Sequence, residues 1–285
     1  MMLNRLIFFM LMLSTVSVAF AADGVQQQFE GFNLDGYTTG GEKAWEINGD
    51  TADVSDATIK INNVKANSYG KQKTNLTART GEINKVSGNV HLQDNVVITS
   101  VDRGTQLTTD SLDWNRTQDI VSTVDPVKIK DDSMTVTGTG MTAHPSMKIA
   151  SLSEDVTAKL KTQTAGAPET GQSVSITCDG PMEVDQLKFY AVFNKNVVAI
   201  EVKSGRELRA DKMEIYFDQR TNKIKKMICT GNVMVKQGTN VTYAELLTYN
   251  SEEQKMVLTG RTKLILDMAE GGGTPFGGLD MGGNK

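Results

Sequence analysis

The sequence is poor in the side chains that most enzymes use for chemistry. It contains only two histidines and two cysteines in 285 residues. It also lacks a Gly-x-Ser-x-Gly nucleophile motif, a His-Glu-x-x-His zinc motif and a glycine-rich phosphate loop. Catalysis needs an acid, a base or a nucleophile with a positioned partner. We therefore expect a protein that is not an enzyme and that uses no metal and no cofactor.

The few candidate polar groups fit ordinary surface positions. His91 lies on an alternating stretch and is expected to face solvent. His144 stands directly before a proline and is expected in a turn. The Asp131-Asp132 pair is interpreted as a solvated turn in preference to a cation site.

Clustered positive charge is absent as well. The formal net charge is -4, and no block of lysines and arginines occurs. Binding to a phosphate backbone requires such clusters, so we predict no nucleic-acid partner.

The two cysteines leave two alternatives open. Cys178 and Cys229 have no neighbouring histidine, so they do not form a zinc site. One alternative is a single disulfide, which an oxidising exported compartment would allow; the other is two buried free thiols inside strands.

The composition favours many short strands. Aromatic residues make up 6% and prolines number 5, whereas glycines number 26. Stretches such as 58–64 alternate apolar and polar residues and are separated by Gly and Asn turn signals. No stretch of ten or more residues predicts a helix beyond the N-terminal segment. The nearest candidate, 243–249, occupies the place of a strand in the internal repeat, so we predict an all-β chain.

The N-terminal segment has the pattern of a secretory signal peptide. Arg5 precedes the apolar run 6–20, and Ala19-Phe-Ala21 is a small-x-small cleavage site. The run is shorter than the ~18–20 residues that span a bilayer. We expect residues 1–21 to be removed; the alternative is an uncleaved membrane anchor formed by residues 6–20.

Composition divides the rest of the chain into five parts. Residues 22–44 are polar and Gly-rich and are interpreted as a flexible leader, with Asn48-Gly49 as a hairpin turn soon after. Residues 45–161 and 173–266 are predicted as two β domains, joined by the aperiodic linker 162–172. The Gly-rich tail 267–285 is predicted to be disordered.

A repeated pattern links the two predicted domains. A valine or its counterpart follows a turn at two sets of positions, offset by 107, 106 and 107 residues. The first set is Val90, Val127 and Val156; the second is Val197, Val233 and Lys263. Such near-equal offsets predict a duplicated half.

Alternating strands also predict which side chains share one apolar face. A sheet with one apolar face must fold over on itself or pair with another sheet. The predicted inward-facing residues are Leu112, Trp114, Met213, Ile215, Phe217, Val233, Val235, Leu247, Tyr249, Met256, Leu258, Leu264 and Leu266.

Two functions follow from such a face. Exposing a fatty acyl chain to water costs ~0.8 kcal/mol per CH₂, so an open apolar trough suits a lipid carrier. The inward residues listed above would then form a lipid-binding groove. The alternative is a structural or adhesive β-solenoid of the cell envelope with a dry core.

Several short motifs resemble those of the periplasmic lipopolysaccharide-transport proteins. They are Ser87-Gly-Asn-Val90, Thr230-Gly-Asn-Val233, Leu208-Arg-Ala-Asp211 and the Trp45-Glu-Ile start. Ile176-Thr-Cys-Asp-Gly180 with Ala191-Val-Phe-Asn-Lys-Asn-Val197 is similar to the OstA-like (LptA) repeat, whereas residues from about 30 to 160 resemble the LptC type.

The resemblance implies a fold, a location and partners. It implies tandem β-jelly-rolls, each a folded-over antiparallel sheet with a V-shaped cross-section, in the periplasm. Lipopolysaccharide acyl chains are expected in the apolar groove. The expected partners are lipopolysaccharide, an inner-membrane ABC permease complex and other periplasmic bridge proteins. Open sheet edges are expected to pair end to end into homo- or hetero-oligomers that form part of an inner-to-outer membrane bridge.

Overall fold

The computed structural model describes residues 27–69, 73–102, 104–145, 147–162, 172–221 and 223–266. The predicted signal peptide, the linker residues 163–171 and the tail 267–285 lie outside these ranges.

The described chain is built from strands and contains no helix, as the sequence predicts. The strands are β1 (Gln27–Tyr37), β2 (Lys43–Val54), β3 (Thr58–Ser68), β4 (Thr74–Asn84), β5 (Val90–Ser100), β6 (Gln106–Asn115), β7 (Ile120–Lys130), β8 (Met134–His144), β9 (Ile149–Thr162), β10 (Gln172–Cys178), β11 (Met182–Asp185), β12 (Tyr190–Glu201), β13 (Arg206–Phe217), β14 (Ile224–Gln237), β15 (Asn240–Asn250), β16 (Lys255–Thr259) and β17 (Lys263–Ile265).

All strands belong to one antiparallel sheet of sequential hairpins. Strands β10 and β11 lie end to end between β9 and β12. In the same way, β16 and β17 both pair with β15. Pairing of β9 with β10 carries the sheet from residues of the first predicted domain to those of the second. Within the described residues, the free edges are therefore β1 at one end and β16 with β17 at the other.

Most strands change direction near the middle, at a bend that we call the corner. Residues there have left-handed backbone angles, as at Asn63 (φ 54°), Asn95 (φ 55°) and Asn232 (φ 44°). The pairing register shifts at the same places, for example between Thr230 and Val233. Asn and Asp tolerate this conformation better than other side chains, and such bulges bend a strand.

Side chains on the outside of the corner hold neighbouring strands together. The Asn63 amide donates to Asp50 at 2.6 Å, and the Asn232 amide donates to Asp211 Oδ2 at 2.9 Å. Gly231 (φ +76°) makes room for this contact, because a Cβ there would lie 2.2 Å from Asp211 Oδ2.

On the inside of the corner, a valine on one strand stands opposite a small residue on the next. This arrangement lets the two halves of each strand approach closely without leaving a void. The pairs are Val64–Ala78, Val96–Thr109, Val127–Gly138, Val156–Cys178, Val197–Ala210 and Val233–Ala244.

The buried side chains show that the sheet folds over on itself. Residues from both sides of the corner pack in one continuous core, such as Leu92 and Ile98 on β5. The described residues contain no second sheet and no helix, so only the opposite half of the same sheet can cover these side chains. The predicted all-β, folded-over antiparallel architecture is therefore confirmed.

The two halves of the folded sheet are called arms. The described turns at the end of the first arm are β1–β2, β3–β4, β5–β6, β7–β8, β12–β13 and β14–β15. The turns at the end of the second arm are β2–β3, β4–β5, β6–β7, β8–β9, β11–β12, β13–β14 and β15–β16. The corner is the closed edge of the resulting V, and the strand ends form its mouth.

The predicted flexible leader at 22–44 is wrong within its described part. Residues 27–37 form strand β1, and Phe32 packs against the core. The glycine that suggested a turn, Gly36, lies opposite Trp45 in the β1–β2 pair. A Cβ on Gly36 would lie 2.1 Å from the Trp45 ring, so glycine here makes room for the indole.

Three other local predictions need correction. Asn48-Gly49 is not a hairpin turn but lies inside β2, where Gly49 faces Ile61. His144 is the last residue of β8. The repeat predicts six equivalent positions, of which Val127, Val156, Val197 and Val233 are buried at the corner. Val90 is only partly buried near a strand end and Lys263 is exposed, so these two are not equivalent to the others.

Candidate functional site

The inner face of the V has an apolar floor beside the corner. The largest side chains that are fully buried there lie at the corner or on the second arm beside it. They are Met213, Ile215, Leu247, Val96, Val156, Val197, Val233 and Cys229. The first arm contributes the buried side chains Val136, Ala158 and Ile176. Because both arms contribute to this floor, it is closed by the protein's own side chains.

Towards the mouth, the inner face remains apolar but becomes partly exposed. On the second arm this row contains Ile83, Val90, Trp114, Val121, Val184, Phe217, Ile224 and Tyr249. On the first arm it contains Leu76, Ile98, Leu107, Ile129, Met134, Leu160, Val174, Leu208 and Val235. We call the space between these two rows the groove.

The predicted inward residues divide between the floor and the groove. The floor contains Leu112, Met213, Ile215, Val233 and Leu247. The groove and its C-terminal end contain Trp114, Phe217, Val235, Tyr249, Met256, Leu258, Leu264 and Leu266. The structure thus brings these side chains to one face; their contact with a lipid stays a prediction.

The prediction missed most groove residues of the N-terminal half. Ile83, Val90 and Val121 face the same space as Phe217 and Tyr249. Period-two alternation alone loses the inward direction at each corner, where the bulge adds an extra residue. The Asn-Val and Asp-Val pairs at the corners are the signal that restores the register.

Trp114 is the largest side chain of the second-arm row. It is 38% exposed, and it pairs across the sheet with Val90 and Val121 of the same row. The Arg116 guanidinium carbon lies 5.7 Å from the centre of its ring, which is cation–π distance. An apolar surface and a positive charge therefore meet at this point of the mouth.

The floor contains one polar contact. Thr109 and Thr123 are the only buried polar residues in the described chain, and their hydroxyl oxygens lie 3.4 Å apart. Thr123 also accepts the backbone N–H of Asp125 at 3.1 Å.

The cysteines are both buried free thiols in the structure. Strands β12 and β13 lie between the strands that carry Cys178 and Cys229. Strand spacing puts them on the order of 14 Å apart, beyond the ~7 Å Cα limit of a disulfide. Burial raises the pKa of both thiols, that of Cys229 to about 12, so neither is an activated nucleophile.

The titratable groups of the outer face form structural contacts. The Tyr190 hydroxyl donates to Glu214 at 2.7 Å. Burial and this bond raise the pKa of Tyr190, and the same bond lowers the pKa of Glu214. His91 is exposed, as predicted, and its Nδ1 lies 2.7 Å from Asp113. Within the described ranges, no cluster of His, Cys, Asp or Glu has metal-binding geometry.

The groove is open at the C-terminal edge of the sheet. Inner-face side chains on the edge strands and just beyond them are well exposed: Met256 by 45%, Leu264 by 57% and Leu266 by 53%. Leu247, an inner-face residue on the adjacent strand β15, is covered completely. The apolar inner face therefore continues to the free edge.

Comparison with known families identifies the origin of this architecture. A family model described as lipopolysaccharide-assembly, LptC-related, matches residues 15–161, just over half of the chain. The chain belongs to the LptC-related family. A second model, described as LptA/(LptD N-terminal domain) LPS transport protein, matches residues 175–274. Comparison with individual curated proteins gave no match.

The two matches confirm the predicted order of an LptC-like half followed by an OstA-like half. Both families are transport or assembly proteins by description. This LptC-related chain shows no helix long and apolar enough to span a membrane within its described residues.

Proposed function

We propose that this LptC-related chain binds lipopolysaccharide in the periplasm and carries it as part of a bridge between the inner and outer membranes. The acyl chains lie in the groove between the two apolar rows. The partners are an inner-membrane ABC permease complex and other bridge proteins. Residues 1–21 direct export of the chain and are then cleaved off; in the alternative, residues 6–20 stay uncleaved and anchor it in the inner membrane.

The observation that supports this proposal best is the partly exposed apolar row on each arm. A dry structural core would end in polar side chains at the mouth, whereas Trp114, Phe217 and Tyr249 keep the inner face apolar there. Covering a chain of about a dozen carbons saves roughly 10 kcal/mol at ~0.8 kcal/mol per CH₂. The closed floor limits the depth of insertion, so the acyl chains lie along the mouth.

The free edges support assembly into a bridge. Strand β1 and the pair β16 and β17 each have one neighbour in the sheet. Unpaired edges add strands from other chains through main-chain hydrogen bonds. An added sheet would extend the groove past Met256 and Leu264, which are exposed at that end.

Photo-crosslinking in living cells tests the proposal. A photoreactive residue at Phe217 should crosslink to lipopolysaccharide, because Phe217 belongs to the inner row. The same residue at Tyr216, which points to the outer face on the same strand, is the matched control. Equal crosslinking at both positions, or none at Phe217, would contradict the proposal.

The second candidate is a structural envelope protein with a dry interior, and the closed floor favours it. Mass spectrometry of lipids that co-purify with the protein distinguishes the two. The carrier should retain acyl chains that a Phe217→Arg variant loses. Preparations of wild-type protein that repeatedly contain none would favour the structural function.

A further inference from the structure

The turns that end the second arm carry a row of positive charges along one side of the mouth. The row occupies five successive turns, from β4–β5 to β13–β14. Its members are Lys85, Arg116, Lys148, Lys188, Arg220 and Lys223. We call this row the cationic rim. Each turn lies two strand positions from the next, so the charges recur about every 10 Å.

Four of the five rim turns share one construction; the β8–β9 turn, which begins at His144-Pro145, does not. An Asn or Asp at the start of the turn accepts backbone N–H groups two or three residues later, which fixes the turn geometry. Asn115, for example, accepts from Gln118 N at 3.1 Å, and Asp218 accepts from Thr221 N at 2.8 Å. The others are Asn84 and Asp185.

Neighbouring turns are also tied to one another. The Arg116 N–H donates to Asn89 Oδ1 of the preceding turn at 3.2 Å. The Gln186 N–H donates to the Lys148 carbonyl at 3.1 Å. A site whose backbone is fixed before binding loses less entropy when a ligand binds. The rim is therefore a regular, preorganised array and not a set of independent loops.

Several of these charges are free to meet a ligand. Arg116, Lys148, Arg220 and Lys223 are exposed. The ion pairs among the described residues include neither Lys148 nor Lys223. Lys188 is partly neutralised, because its ammonium lies 2.8 Å from Asp185.

The opposite side of the mouth has a different charge. Among the described residues of the first-arm turns, carboxylates outnumber cations. The carboxylates are Glu42, Asp102, Asp131 and Asp132, and the cations are Lys73 and Lys203. The five rim turns contain two carboxylates, Asp119 and Asp218, against six cations, a surplus of four cations. The second-arm turns on either side of the rim, β2–β3 and β15–β16, carry Asp56, Glu252 and Glu253. The positive surplus is therefore confined to the rim, which shares the mouth with an apolar inner row.

The cationic rim lies directly beside the apolar row of the second arm. Trp114 belongs to that row, and Arg116 of the rim lies over its ring. Gly88 leaves space for this guanidinium, since a Cβ there would lie 3.1 Å from Arg116 Nη1. Charge and apolar surface are therefore placed as the head and tail of an anionic amphiphile require.

We propose that the cationic rim binds the phosphate groups of the headgroup whose acyl chains occupy the groove. This inference rests on the proposed function and adds which end of the lipid is recognised and by which side of the mouth. Phosphate bound by Lys and Arg forms charge-assisted hydrogen bonds. The lipid would lie with its headgroup at the second-arm turns.

The test compares binding of phosphorylated and dephosphorylated lipid A to full-length variants. In the rim variant, Lys148→Gln is combined with Lys223→Gln, which spares the packed Arg116. The matched control combines Lys128→Gln with Lys159→Gln, two exposed lysines on the outer face of the first arm. Thermal unfolding of each variant shows that the fold is kept.

The rim variant should bind phosphorylated lipid A about tenfold more weakly than wild type, while binding of the dephosphorylated form is unchanged. The control variant should bind both as wild type does. An equal loss of binding in the rim and control variants, or no loss in the rim variant, would overturn the inference about the rim. In that case, crosslinking of lipopolysaccharide at Phe217 would still support the proposed groove. Failure of wild type to bind either form would overturn the proposed function as well.

Discussion

Leu247 and Leu264 show how differently two leucines on the same inner face are placed. Leu247 is 0% exposed in the floor, whereas Leu264 is 57% exposed on an edge strand. The sequence predicts both to face inward, and it does not separate them. Burial depends on whether the opposite arm or another strand covers the side chain, and this is a property of the folded sheet.

The two leucines should therefore respond differently to truncation. Leu247→Ala leaves a cavity in a closed floor and should lower the free energy of unfolding by about 2–5 kcal/mol. Leu264→Ala should change it by less than about 0.5 kcal/mol. Urea unfolding followed by circular dichroism measures both, and equal losses would show that the floor is not closed. For the same reason, Leu247→Arg is expected to unfold the protein and is a poor probe of lipid contact.

At the scale of the strand, the corner is the feature that shapes the molecule. On the inside of the bends, a valine on one strand alternates with a small residue on the next, as at Val233 and Ala244. Left-handed residues such as Asn232 lie beside the valine. Gly231 has φ +76° and lies against Asp211, which in turn accepts the Asn232 amide. Gly205, in the β12–β13 turn, also has a positive φ, +64°, but no atom lies within 4 Å of the position that a Cβ would take.

This pair of glycines separates backbone strain from crowding. Gly205→Ala meets only the cost of a left-handed backbone, on the order of 1 kcal/mol. Gly231→Ala adds a clash with Asp211, so its loss of unfolding free energy should be clearly larger, about 2–3 kcal/mol. Chemical denaturation of the two variants gives the comparison. Equal losses would mean that Asp211 moves aside without cost.

Strands β1, β2 and β3 are joined by a second polar contact, centred on Glu46. It accepts from the Tyr69 hydroxyl at 2.7 Å and the Asn67 amide at 2.8 Å, and the Lys43 ammonium contacts both Glu46 and Asp35. The bond from Lys43, followed by those from Asn67 and Tyr69, lowers the pKa of Glu46 from 4.5 to about 2.

A lowered pKa means that the ionised carboxylate stabilises the fold. This contribution is complete above the unfolded pKa of 4.5 and is lost as the pH falls towards 2. Glu46→Gln should therefore be less stable than wild type at pH 7, and the difference should shrink on acidification towards pH 2. Denaturation curves at pH 7, 4 and 2.5 measure it. A difference that does not vary with pH would contradict this role of the charge.

The strands themselves were largely predictable, whereas their beginnings and bends were not. Alternation placed Met213, Ile215 and Phe217 on one face, because a strand directs every second side chain the same way. The turns predicted at Gly36 and Gly49 are wrong, because these glycines lie inside strands and make room for Trp45 and Ile61. A glycine that permits close packing and a glycine that permits a turn look alike in a sequence.

At the scale of the whole molecule, one continuous sheet joins the two family matches. Residues matched by the LptC-related model and those matched by the LptA-type model pair directly, β9 with β10 and β11. The apolar inner face therefore continues from one half to the other without an interface between separate sheets. A lipid that moves along the groove would meet the same kind of surface throughout, and the remaining discontinuities are the two free edges.

Those edges should make the protein associate in a concentration-dependent way. Charged side chains on an edge strand oppose pairing with another chain. Leu264→Lys should therefore weaken association, because it disfavours burial of the inner face of β17. Val202→Lys, at a residue 60% exposed in the β12–β13 turn, is the matched control and should associate as wild type does. Sedimentation velocity over a range of concentrations measures the oligomers. A wild-type protein that stays monomeric at high concentration would contradict edge pairing, and equal weakening by both variants would assign the association to charge and not to the edge.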